Sequence, residues 1–149
     1  MRKFIVLFAS WFGTGFSPFA SGTVGTLAAI PFYLVLSTLA LPLYLLTLLA
    51  FFFFSCWAAG QAEEIFGEKD SGKIVIDEVI GYLITMTAVS PSWVSIIAGF
   101  LLFRFFDITK IPPARYFDRN LKNGYGVVLD DVIAGIYACL SLHLLLRFL

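Results

Sequence analysis

Eighteen consecutive residues, Leu43–Gly60 (LYLLTLLAFFFFSCWAAG), contain no charged side chain, and Phe51–Phe54 lies in their middle. A run of this length leaves few options. A helix that crosses a bilayer needs about 17–25 predominantly apolar residues. The composition points the same way. Hydrophobic residues make up 60% of the 149 and charged residues 13%, whereas soluble domains average about 45–50% apolar and about 25% charged. The net charge is zero, so there is no basic footprint for nucleic acid. The expected architecture is one all-α, membrane-embedded domain over residues 1–149.

The apolar runs divide the chain. Phe4–Phe12 is too short to span as a helix and is expected to lie at the interface or re-enter; the N-terminus reads as retained rather than cleaved. Gly13–Gly22 (GTGFSPFASG) reads as a loop, and Thr23–Leu41 as an apolar segment ended by Pro42. With Leu43–Gly60 it forms a transmembrane hairpin. Ile74–Val89 and Trp93–Phe106, separated by the turn Ser90–Ser92, form a second, shorter hairpin that is tilted or partly inside the protein. Val132–Leu149 is the last run. The pattern predicts a polytopic bundle of about five transmembrane or partly re-entrant helices.

Charge placement orients it. Arg2, Lys3, Lys69, Lys73, Arg104, Lys110, Arg115, Arg119 and Lys122 fall on one side with every acidic residue, and Arg147 alone falls on the other. The positive-inside rule makes the charged side cytoplasmic.

Two carboxylate pairs stand at the edges of apolar runs, in Ile76–Gly81 (IDEVIG) and in Gly124–Gly135 (GYGVVLDDVIAG). Ionised groups beside hydrocarbon are costly unless paired or metal-bound. Capping a helix N-terminus is the ordinary alternative, and one aspartate of Asp130-Asp131 is a candidate cap. Gly81 follows Asp77 by four residues and Gly135 follows Asp131 by four, so each glycine shares a helix face with its aspartate and allows close approach there. Phe103–Lys110 ends a segment at the same side. In it Arg104, Asp107 and Lys110 stand three apart, a spacing suited to one ladder on a helix. Asp77, Glu78, Asp107, Asp130 and Asp131 together would repel one another without a cation. Their all-oxygen character suits Mg²⁺ or Mn²⁺ rather than Zn²⁺.

Basic groups invite an anion: Arg104, Lys110, Arg115 and Arg119. Ser21, Gly22 and Thr23 add a Gly-rich helix start whose backbone N–H groups can bind phosphate, although no Walker A sequence is present. Cys56 and Cys139 read as small buried hydrophobes, and His143, deep in the last run, as structural.

These motifs resemble the phosphatidylglycerophosphatase A family, in the same order over most of the chain: Ser17–Thr26 with Leu27–Pro31, Lys69–Gly81, Phe103–Lys110, and Gly124–Gly135. The sequence departs from the family pattern at Ile111, where proline usually follows the motif lysine, and at Ser21, where proline often precedes Gly-Thr. Neither change removes a carboxylate or a base. The resemblance implies a Mg²⁺-dependent phosphatase of the bacterial inner membrane, acting on the phospholipid phosphatidylglycerophosphate to give phosphatidylglycerol and phosphate. In this role Asp77, Glu78, Asp107, Asp130 and Asp131 are the expected catalytic and metal-binding residues. Arg104, Lys110, Arg115, Arg119, Ser21, Gly22 and Thr23 are those expected to bind substrate. A CDP-alcohol phosphotransferase is the nearest enzyme rival, but Val128 stands where its next aspartate belongs. The alternative from another class is a cation or proton transporter built on the same carboxylates.

Overall fold

The computed structural model describes residues 1–69, 71–112 and 124–149. Among them the chain is all-helical: α1 (Arg2–Ala9), a 3₁₀ turn (Thr14–Phe16), α2 (Ser21–Leu36), α3 (Leu41–Phe66), α4 (Ile76–Thr85), α5 (Trp93–Thr109) and α6 (Gly124–Arg147).

Helix ends follow local chemistry, and they differ from the apolar boundaries. α3 starts with Pro42 in its first turn and runs beyond Gly60 to Phe66, stopping at Gly67 in the left-handed conformation. Gln61, Ala62, Glu63 and Glu64 are strong helix formers, so polarity alone does not end the helix. α5 opens with a reciprocal cap between Ser92 and Ser95, which explains the turn at Ser90–Ser92. α2 starts at Ser21, inside the stretch read as a loop. α6 already includes Gly124, so Asp130 and Asp131 lie well inside the helix and neither caps it.

Two helices, α3 and α6, are long and apolar enough to cross a membrane. In the most apolar part of α3 only 28% of residues are buried, unlike the core helix of a soluble protein. Leu45, Leu46, Leu49 and Phe53 are exposed on α3, and Ile97, Leu101, Phe105 and Ile108 on α5. Apolar surface on this scale belongs against lipid or protein. These features fit a membrane helical protein.

The centre of the bundle is α4. It packs against α6 most extensively, and also against α2, α3 and α5. Its ten residues rise about 15 Å, half of a hydrocarbon core of about 30 Å. The stretch read as one arm of a short hairpin is therefore a buried half-helix, in keeping with a hairpin that sits partly inside the protein. A helix that stops inside protein leaves carbonyls to satisfy. Tyr44 donates to the Leu83 carbonyl, Tyr33 to Val89 at 2.8 Å, and His143 Nε2 lies 2.9 Å from the Thr87 oxygen. His143 is structural, as its position in the sequence suggests.

Candidate active site

Three helices bring carboxylates to one place. Asp77 and Glu78 occupy the first turn of α4, where the helix dipole favours negative charge. Asp107 comes from the last turns of α5, and Asp130 and Asp131 from α6. Relative exposure is 2% at Asp131, 5% at Asp130, 6% at Asp77 and 9% at Asp107. Carboxylate oxygens of Asp77, Asp130 and Asp131 lie within 4.8 Å of one another, and so do those of Glu78, Asp107 and Asp131. The five acids that the sequence singles out thus meet, and Asp131 belongs to both groups.

Glycine sets this meeting. A Cβ on Gly135 would stand 2.5 Å from the Gly81 carbonyl oxygen, and one on Gly81 would collide with the Phe103 ring. The expectation that both glycines permit close approach holds. Each lies one helical turn after an aspartate of the cluster, so backbone contact at Gly81–Gly135 fixes how near Asp77 and Asp131 come.

The basic ladder takes a different form from the one expected. Arg104 pairs with Asp107 one turn along α5. Lys110 does not extend the row. It ends α5 in the left-handed conformation, φ 49°, which turns its side chain off the helical track, and its ammonium pairs with Asp130 on α6. Each cation therefore holds a different acid.

The first turn of α2 completes the wall. A Cβ on Gly22 would lie 2.8 Å from Glu78 Oε1 and 3.2 Å from Arg104 Nη1. Glycine lets this turn rest against both side chains without displacing them. The Ser21 hydroxyl donates to the Gly72 carbonyl at 2.7 Å, so it ties α2 to the chain entering α4. Thr23 is half-buried on the same turn. Arg115 and Arg119 lie outside the described residues.

The electrostatics call for a cation. Asp77 Oδ1, Glu78 Oε2 and Asp131 Oδ2 are buried without a hydrogen-bond partner, a costly state for carboxylate oxygens. Burial, then the adjacent Glu78 charge, pushes the Asp77 carboxyl well above the usual range. Burial also raises Glu78, opposed by its hydrogen bond with Asp77, while the Asp107 charge raises it further and Arg104 lowers it. The donors are all oxygen. Opposite ligands on an octahedral Mg²⁺ stand about 4.2 Å apart, so small side-chain movements would close either group on an ion. The residues fit Mg²⁺.

Comparison with known proteins gives the chain its relatives. A profile of the Phosphatidylglycerophosphatase A family matches residues 7–146. The phosphatidylglycerophosphatase A of Escherichia coli K12 is 40% identical over 131 residues, covering 87% of this chain and 76% of the relative. That of Haemophilus influenzae is 43% identical over 136 residues, covering 90% and 83%. A Bacteroides thetaiotaomicron protein, provisionally named a phosphatidylinositol-3-phosphatase, is 42% identical over 142 residues, covering 89% and 87%. No solved structure gives a significant match. With its four motifs in order and matches of this extent, the chain belongs to the phosphatidylglycerophosphatase A family.

Proposed function

We propose that this protein is a Mg²⁺-dependent lipid phosphatase that converts phosphatidylglycerophosphate to phosphatidylglycerol and inorganic phosphate. The observation that carries the reading is the buried carboxylate cluster with three orphaned oxygens, standing against Arg104 and the first turn of α2. Family membership supports the substrate. All relatives named above are phosphatases of phospholipid headgroups by name, and the Bacteroides protein differs in the headgroup. A phosphomonoester is therefore the common chemistry.

Asp77, Glu78, Asp107, Asp130 and Asp131 would hold Mg²⁺. When bound, the ion supplies charge stabilisation to the phosphoryl oxygens and a water more acidic than bulk water. The other roles belong to the chain. Arg104, held by Asp107, offers its guanidinium to the phosphoryl oxygens as charge develops. The free N–H groups at the start of α2, around Gly22, add the positive end of a helix dipole. Lys110 fixes Asp130. Water attacks phosphorus, the ester oxygen leaves with the lipid alcohol and takes a proton, and a cluster carboxylate receives the proton the water gives up. The Asp-x-Asp nucleophile pattern of haloacid dehalogenases is absent, which favours water over an aspartyl nucleophile.

The setting is the bacterial inner membrane. α3 and α6 cross it, α2 and α5 accompany them, α4 is buried between, and α1 lies near the surface. The basic residues put the cluster at the cytoplasmic face, where a lipid phosphate sits beside its acyl chains. Phosphate release from phosphatidylglycerophosphate by purified protein tests this, with phosphatidylinositol 3-phosphate as the competing headgroup. Activity should need Mg²⁺ and be lost in Asp77→Asn and Asp131→Asn. Full activity in EDTA, or in both variants, would sink the metal–carboxylate mechanism. Ion flux in liposomes without phosphate release would favour the transporter.

A further inference from the structure

We infer that the cluster holds two divalent cations rather than one, with Asp131 bridging them. This rests on the metal-dependent reading above and adds the number of ions and the residue that joins them. The oxygens form two groups, Asp77–Asp130–Asp131 and Glu78–Asp107–Asp131, each within 4.8 Å. Only Asp131 is common. It is 2% exposed, and its Oδ2 has no hydrogen-bond partner. The fixed cations divide in the same way. Lys110 pairs with Asp130 in the first group, and Arg104 pairs with Asp107 in the second. Each group thus has one acid steadied by a side-chain cation and one acid, Asp77 or Glu78, with a buried oxygen lacking a hydrogen-bond partner. Asp131 stands between the two groups.

Charge is consistent with two ions. Ligating carboxylates are ionised, and five of them exceed Arg104 and Lys110 by three charges, more than one divalent ion offsets. Two ions held this way would supply charge to both the attacking and the leaving oxygens of a displacement.

Mn²⁺ is the probe, because two nearby Mn²⁺ ions give an exchange-coupled paramagnetic resonance spectrum and an isolated ion does not. The full chain, purified in detergent and stripped of metal, is titrated with Mn²⁺, and bound ion is counted by equilibrium dialysis. The expected result is two ions per chain with a coupled spectrum. Asp131→Asn should lose the coupling, and Asp107→Asn should keep one uncoupled ion; circular dichroism confirms that each is folded. The wild-type count and spectrum decide the matter even where a variant fails to fold. One ion per chain in a Mg²⁺-dependent phosphatase overturns the pair and leaves the proposed function standing. Two uncoupled ions overturn the bridge. No bound ion, with activity that survives EDTA, overturns both.

Discussion

Gly135 faces the carbonyl oxygen of Gly81 so closely that a Cβ there would stand 2.5 Å from it. Thr85 reinforces the contact by donating to the same Gly81 oxygen at 2.9 Å. Backbone thus meets backbone between α4 and α6, with no flexible side chain to absorb a change. One turn earlier on each helix lie Asp77 and Asp131. The closeness of two carboxylates that repel each other is imposed by helix packing.

Gly135→Ala should therefore damage both stability and site. The added methyl must push α6 off α4, an overpacking cost of about 1–3 kcal/mol. The shift widens the Asp77–Asp131 gap, so divalent-ion affinity should fall with thermal stability. Thermal unfolding in detergent, with and without Mg²⁺, measures both. A variant with wild-type stability and ion affinity would refute the claim that this contact sets the cluster.

Gly22→Ala should behave differently. Its Cβ would meet the ends of two long side chains, Glu78 and Arg104, which can move aside at little cost in folding. Stability should stay within about 0.5 kcal/mol. The moved groups are a proposed metal ligand and the guanidinium proposed to meet the phosphoryl oxygens, so turnover should drop, with Arg104→Met as the reference for complete loss of the guanidinium, about 10²–10³-fold. Steady-state phosphate release checks this. Unchanged turnover would remove the start of α2 from the site.

Tyr44→Phe separates fold from chemistry. The hydroxyl donates to the Leu83 carbonyl near the end of the half-helix α4, and its loss leaves that oxygen with only the 3.3 Å bond from the Thr87 hydroxyl, a net cost of about 0.5–1.5 kcal/mol. Stability should fall by that order while the Mg²⁺ concentration for half-maximal activity stays at the wild-type value. A shift in the Mg²⁺ requirement would mean that strain at this end of α4 reaches Asp77 and Glu78.

The sequence carries the helical class and the five acids openly, because both are statements about local composition: apolar runs, and carboxylates where carboxylates are expensive. Gly81 and Gly135 were readable too, since helical spacing ties each to its aspartate. Helix ends were less readable. α3 continues through Gln61–Phe66 because helix propensity there outweighs polarity, and α4 stops at Thr85 although the apolar run continues to Val89. What makes that early stop tolerable is tertiary: hydroxyls of Tyr33 and Tyr44 and the ring of His143, from three other helices, reach the freed carbonyls. No local pattern announces such partners. Gly22 was readable as part of a phosphate-binding helix start, but its approach to Glu78 and Arg104 was hidden for the same reason, since they lie far along the chain.

Lys110 joins a backbone cost to a charge. A non-glycine residue in the left-handed region costs roughly 1–2 kcal/mol, and Lys110 adopts it at φ 49°. The conformation sends the ammonium to Asp130 instead of along the Arg104 row. Two substitutions separate these terms. Lys110→Met deletes the ammonium and keeps the strain; Lys110→Gly deletes the ammonium and relieves the strain. Both should lose about 10–100-fold in activity or divalent-ion affinity, the usual effect of removing a group that orients a ligand. Lys110→Gly should nonetheless be the more stable by about 1 kcal/mol. Initial rates at saturating Mg²⁺ and paired unfolding curves give both comparisons. If Lys110→Met keeps wild-type activity, the pairing with Asp130 is only structural. If Lys110→Gly is no more stable than Lys110→Met, the left-handed turn carries no strain. The two tests fail independently, because the first reads the ammonium and the second reads the backbone beneath it.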